Sequence, residues 1–390
     1  MNQLKRWFSK KKNIIFSATL LSVFLVFLPA PIGCQKNDKS DIAALNDYKN
    51  PQESQTIQSE TQSGEKEEKH LYPEDIETMI NDKEETVTEK EILKYMPNEL
   101  GQIMILMYHK IGSPESEWMR TPQNFRQDLI NLYENGYRLV NLLDYVNGNI
   151  DIEAGKSPVI LTFDDATQGH FNFIETASSL RLDPDCAVAI LEDFCSQFPD
   201  FGKGATFYIN YPYPFHQIQY IKEKLEFLVN NGYEIGNHTY SHADLSNLSY
   251  EDVAKEIALN ASKTNEILRG YEVKSLALTY GLYPQNKEIL AKGSFKDYSY
   301  NNEAILLIGS NPAPSPFSLD FDFLGIPRIK ASEINVENQG IYDWIDYFKK
   351  YPERRYTSDG NADIVTIPPE LKDKLNKNST NGKKIFFYLP

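Results

Sequence analysis

The sequence predicts an α/β fold, a parallel sheet with helices outside it, open or closed into a barrel. Three observations lead there. From about residue 103 onward, short β-rich runs alternate with helical patterns. The runs at 103–108 and 158–163 are apolar almost throughout, as buried strands are. Polar residues stand where the strands end: His109, Asp164 with Asp165, Asn210, His238, Tyr280 and Arg328. Parallel barrels gather their chemistry at those ends.

In chain order, the first element is an export signal. Lys5, Arg6, Lys10, Lys11 and Lys12 precede an apolar run at 14–28, and Ala30, Pro31, Ile32, Gly33 and Cys34 follow. That is the charged, apolar, small-residue order of a secretory leader. A small residue before a cysteine resembles a bacterial lipoprotein cleavage site, with Cys34 lipidated, although Pro31 departs from the usual aliphatic residue. An uncleaved membrane anchor is the alternative. Residues 1–34 therefore form an anchor, and the rest is expected on the extracellular face of the bacterial cell membrane. Residues 35–95, rich in Gln, Ser, Glu, Lys, Asn and Asp, bury too little to order themselves and read as a disordered tether.

A domain at 100–390 follows. After the strand at 103–108 comes a helix capped by Thr121, with Pro122 at its first position. Further strands are expected at 158–163, 205–209, 233–236, 275–279, 304–308 and 325–329. Helices are expected at 218–231, from Ser249 to about residue 268, and at 342–350. Ser249 and Asp252 resemble a capping box. Residues 184–198 look helical, so Cys186 and Cys195 stand about 13 Å apart, too far for a disulfide. They read as inert, buried thiols.

Composition excludes one class of partner. The formal net charge of -15 argues against nucleic acid, because phosphate binding needs a basic patch. The informative residues are Thr162, Phe163, Asp164 and Asp165, read with His238 and His242. Two carboxylates after a strand are, taken alone, a turn or a helix cap. Two histidines at i and i+4 share one side of a helical turn, and taken alone are a surface pair. Together they offer one carboxylate and two imidazoles to a divalent metal, with a second carboxylate left as a base. Adjacent strand residues point apart, so one aspartate can face the metal and the other the substrate. The pattern points to metal-assisted hydrolysis.

Thr162 to Asp165 and the run from Gly236 to His242 resemble the first two motifs of the polysaccharide deacetylase (NodB-homology) family, carbohydrate esterase family four. The likeness covers roughly residues 100–350, and Met107 to Ile111 looks like the start of the exopolysaccharide-deacetylase branch. The resemblance implies a distorted (β/α) barrel that removes N-acetyl groups from an N-acetylglucosamine polymer of the cell wall or matrix. It implies that Asp165, His238 and His242 hold a divalent metal, zinc first, with cobalt or nickel as alternatives. Asp164 would be the general base, and a backbone N–H near Tyr280 a donor to the tetrahedral oxyanion.

The chain also departs from the family. The third motif usually carries an arginine that orients the base, and Ala277 or a neighbour stands there instead. Ala166 replaces the usual glycine after the second aspartate. The family's late histidine, the general acid, is absent, since all 6 histidines lie at or before His242. His109 is the leading substitute acid, and Arg328 a substitute for the lost positive charge. Asp343 and Trp344 resemble the fourth motif faintly; a tryptophan packing from a helix face is the plainer reading. Tyr208, Tyr211, Tyr213 and Phe215 make either a sugar-stacking rim or ordinary loop packing. A metal-binding pseudoenzyme that holds glycan without turnover is the competing function.

Overall fold

A computed structural model of the chain describes residues 94–177 and 179–388. Cys34, the leader and nearly all of the expected tether lie outside the described residues. No helix among the described residues is long and apolar enough to cross a membrane.

Strand β1 (Met104–Tyr108) is buried at every position. It pairs in parallel with β3 (Ser157–Phe163), in register from Met104 opposite Val159 to Tyr108 opposite Phe163. Between them run helix α1 (Pro122–Glu134), strand β2 (Tyr137–Leu139) and the short helix α2 (Leu142–Val146). The Thr121 hydroxyl accepts the Asn124 N–H at 3.2 Å, and Pro122 opens α1, as its sequence predicts. Helix α3 (Ala187–Gln197) leads to β4 (Thr206–Ile209), α4 (Ile221–Asn230) to β5 (Glu234–Asn237), and α5 (Tyr250–Ile267) to β6 (Ser275–Ala277). The Ser249 hydroxyl caps α5 by accepting the Asp252 N–H at 3.2 Å. Strands β7 (Ala304–Leu306) and β8 (Ile329–Lys330) and helix α6 (Ile341–Lys350) complete the frame.

The strands run β7-β6-β5-β4-β3-β1-β8, with β2 paired to the start of β3, and all are parallel. The sheet curls into a distorted barrel. Ile326 bridges Leu306 of β7, and Ile329, three residues on, lies opposite Leu106 of β1. The expected single strand at 325–329 is therefore divided. Pro327 has no N–H for a ladder, and there the backbone changes neighbour from β7 to β1.

The barrel interior is filled by Ile105, Ile160, Tyr208, Ala277, Leu306 and Ile326 among others. A second apolar layer packs α5 against β6 and β7 through Val253, Ile257, Leu276 and Ile305. Cys186 and Cys195 are free and buried, as expected. The core thus fixes the strand ends that carry the polar residues.

A candidate metal and base site at the strand ends

The Asp164–Asp165 pair leaves β3 on a strained turn. Asp165 and Ala166 have φ of 73° and 44°, a left-handed region that costs a residue with a Cβ about 1 kcal/mol. Ala166 thus holds a conformation that suits glycine. The Ala166 carbonyl accepts the Phe215 N–H at 2.6 Å and the Asp164 N–H reaches the Tyr108 carbonyl at 2.9 Å, so neighbouring loops hold the turn. Its effect is to send the two carboxylates in different directions, as the sequence predicts.

Asp164 points inward, to Arg328. Both side chains are essentially inaccessible, at 1% and 0% exposure. The guanidinium donates Nη1 to Oδ1 and Nη2 to Oδ2, each at 2.7 Å, a bidentate fork. Nη1 also reaches the Thr162 hydroxyl at 3.1 Å, and Nε the Leu307 carbonyl at 2.8 Å. Burial alone pushes the Asp164 carboxyl up, but the Arg328 charge outweighs it and holds the group below its ordinary value. Arg328 stands just before β8 rather than at a strand's end, and it sets a positive charge directly against Asp164.

Asp165 points to the histidines. Its Oδ1 lies 3.1 Å from His242 Nε2 and 3.4 Å from His238 Nε2. All three ligand atoms fall within 4.8 Å of one another. Tetrahedral zinc, with bonds of about 2.0–2.1 Å, needs ligand atoms about 3.3 Å apart, so the spacing fits. The far ring nitrogens fit too. His238 Nδ1 lies 2.9 Å from the Ala277 carbonyl, which leaves Nε2 with a free lone pair. His242 Nδ1 lies 3.1 Å from the Tyr280 hydroxyl. Burial raises Asp165, yet the two imidazoles beside it hold it far below the carboxylate range. The Asp165 carboxylate in turn raises His242 against the opposing effect of burial.

The two histidines do not share a helical turn. Thr239 and His242 have φ of 57°, and the segment is a loop. Helix α5 shapes that loop. Asn260 Nδ2 donates to the Thr239 carbonyl at 2.8 Å, and Glu256 accepts the Ser241 N–H at 2.8 Å. Glu256 and Asn260 are positioning residues that motif reading missed; their i, i+4 spacing on the helix after the motif was the available signal.

The remaining candidates divide. His109 is half-buried and its ring lies 4.6 Å from that of Trp118. Burial lowers its pKa, while the charges of Asp164 and Asp165 pull it up. Those charges place it electrostatically on the site. Tyr280 has φ of 57° on the turn that follows β6, beside His242. The sugar-stacking rim does not form as a unit: Tyr208, Tyr211 and Phe215 are buried, and only Tyr213 is exposed. Tyr211 stacks on Tyr240 and bonds Thr264, which is loop packing. Trp344 donates its indole N–H to the Ser310 carbonyl at 2.8 Å from the face of α6, the plainer of its two readings. His170 is fully buried and His216 lies on an exposed loop.

Comparison with known proteins bears on this geometry. No curated protein matches the chain. Among solved structures it is similar to the Streptococcus pyogenes deacetylase PplD in complex with acetate, at 19% identity and a TM-score of 0.47, over 63% of this chain and 97% of that one. It is similar to BC0361, a polysaccharide deacetylase from Bacillus cereus, at 18% identity and a TM-score of 0.45, over 63% of this chain and 68% of the other. IcaB from Ammonifex degensii gives 17% identity and a TM-score of 0.43, over 63% and 97%. The family model for polysaccharide deacetylase matches residues 151–296. That span contains the carboxylate pair, both histidines and Tyr280, so the site residues fall within the segment that matches the polysaccharide deacetylase domain.

Proposed function

We propose that the chain is a metal-dependent N-deacetylase acting on an N-acetylglucosamine-containing polysaccharide of the cell wall or extracellular matrix. The family's reaction is deacetylation of polysaccharide, and its esterase-four members are generally metal-dependent. The observation that carries the finer reading is the pairing of an Asp165–His238–His242 cluster with a second carboxylate, Asp164, held ionised beside it.

Asp165, His238 and His242 would hold the ion, with zinc suited to that donor set. Bound there, a divalent ion polarises an acyl carbonyl and lowers the pKa of water. Asp164 accepts the proton of the attacking water. Its carboxylate is ionised at neutral pH because Arg328 keeps it so, and the fork fixes its orientation. The strained turn aims Asp164 at Arg328 and Asp165 at the two histidines that would hold the ion with it. The Tyr280 backbone N–H is the proposed donor to the oxyanion.

The amine leaving group needs a proton, and His109 is the proposed donor. It feels the charges of both aspartates, and its imidazole lies against Trp118. No histidine lies beyond His242, so His109 takes the place of the family's late acid. A pseudoenzyme that holds glycan without turnover is the second reading, favoured by the burial that lowers the pKa of His109. Cys34 and the leader support a lipid-anchored protein on the outer face of the membrane. Acetate release from N-acetylated glucosamine oligomers by the zinc-loaded chain, compared with Asp164→Asn, separates the two readings.

A further inference from the structure

Both proposed ligand histidines lean on the same short segment, β6 and the turn after it, but in different ways. His238 Nδ1 is met by a backbone carbonyl, that of Ala277, at 2.9 Å. His242 Nδ1 is met by a side chain, the Tyr280 hydroxyl, at 3.1 Å. The first contact survives any substitution at its own position. The second depends on one phenol oxygen.

The local backbone is arranged to deliver that oxygen. Tyr280 and Gly281 both have positive φ, 57° and 68°. For a bulky aromatic residue the left-handed region is unusual and persists only when neighbours impose it. Here the Thr279 hydroxyl donates to the Ala243 carbonyl, one residue beyond His242. The Ala243 N–H in turn reaches the Thr239 hydroxyl at 2.9 Å. Those bonds fasten the turn to the histidine loop, and the phenol meets the imidazole edge-on, with centroids 4.9 Å apart and planes at 80°. The ring is not held there by core packing, since Tyr280 is 57% exposed.

We infer that Tyr280 is a positioning residue for the metal centre, its hydroxyl fixing the His242 ring so that Nε2 faces the ion. The inference rests on the metal-centre reading above. For Nε2 to offer a lone pair beside Asp165, the imidazole proton must sit on Nδ1, where the phenol oxygen accepts it. A phenol oxygen accepts more weakly than the backbone carbonyl that meets His238, so His242 is the more loosely set of the two imidazoles. This role belongs to the hydroxyl and is separate from any role of the Tyr280 backbone N–H.

The test is zinc affinity in the full chain, measured by competition with a chromophoric chelator, for the wild type and Tyr280→Phe. Removing such an outer contact typically weakens metal binding 10–100-fold, and a phenol places this one near the lower end, about tenfold. The melting temperature of the metal-free chain should not change, because the lost group is exposed. Dissociation constants within twofold of each other overturn the inference. If Tyr280→Phe also lowers the metal-free melting temperature, nitrogen NMR of the zinc-loaded wild type decides. A protonated Nδ1 on His242 upholds the inference, and a metal-bound Nδ1 overturns it. A wild-type chain that binds no zinc is a different failure: it removes the metal centre itself, and this inference with it.

Discussion

Replacing Arg328 by methionine removes the fork that neutralises Asp164 and leaves a carboxylate of 1% exposure without that charge partner. The lost bonds are two charge-assisted contacts of 2.7 Å. Hydrogen bonds to charged groups contribute about 1.5–3 kcal/mol each, and stripping one partner from a buried pair costs about 3–5 kcal/mol. The predicted loss at neutral pH is therefore about 3–5 kcal/mol. The sign of its pH dependence follows from the direction of the shift. In the wild type Asp164 is held below its ordinary value, so the stability it contributes is present above the unfolded carboxylate range, near about 3.9. That contribution disappears only as pH falls through the lower folded value. In the variant, burial is opposed only by the charge effects of His238 and His109, and the Asp164 carboxyl rises. The deficit should be largest near neutrality and should narrow on acidification, as the carboxyl gains a proton. Urea unfolding of both chains at pH 7 and pH 5, with a chelator present, measures it. A deficit under about 1 kcal/mol, or one equal at the two pH values, would refute the reasoning.

Two further outcomes follow from buried groups. His170 is fully buried and its pKa is lowered to about 4, with burial the main cause. A base lowered in the folded state stabilises above its unfolded value of about 6.5 and loses that contribution as pH falls toward 4, up to about 3 kcal/mol. His170→Phe should flatten the stability profile between those pH values, as read by urea unfolding; an unchanged profile contradicts the assignment. Burial raises the thiols of Cys186 and Cys195, the second to about 12, so neither should react with a thiol reagent at pH 8 before the chain unfolds. Stoichiometric modification of the native protein would show that the segment around α3 opens.

Sequence reading reached what is local in the chain. The Asp164–Asp165 turn, the His238–His242 pair and the Thr121 and Ser249 caps all lie within a few residues of their partners, so spacing alone exposes them. Arg328 was visible as a candidate, but its task was not, because Asp164 is 164 positions away and only barrel closure brings the two together. Pro327 divided the last strand because one residue without an N–H lets the backbone change neighbours. The helical geometry assumed for the histidines failed where Thr239 and His242 take positive φ, in a loop held by Asn260 of α5 and the Ala277 carbonyl of β6. The tyrosines after β4 looked like a rim because aromatic residues serve cores and surfaces alike, and burial separates the two only in three dimensions.

The central claim is that one ion held by Asp165, His238 and His242 works with Asp164 to deacetylate glycan. The most direct test loads the full chain with one equivalent of zinc and measures acetate released from N-acetylated glucosamine oligomers. The account predicts release that needs the metal, disappears in Asp164→Asn, and disappears while that variant still binds zinc. Stoichiometric zinc binding with no acetate from any N-acetylated oligomer, or undiminished release by Asp164→Asn, would contradict it.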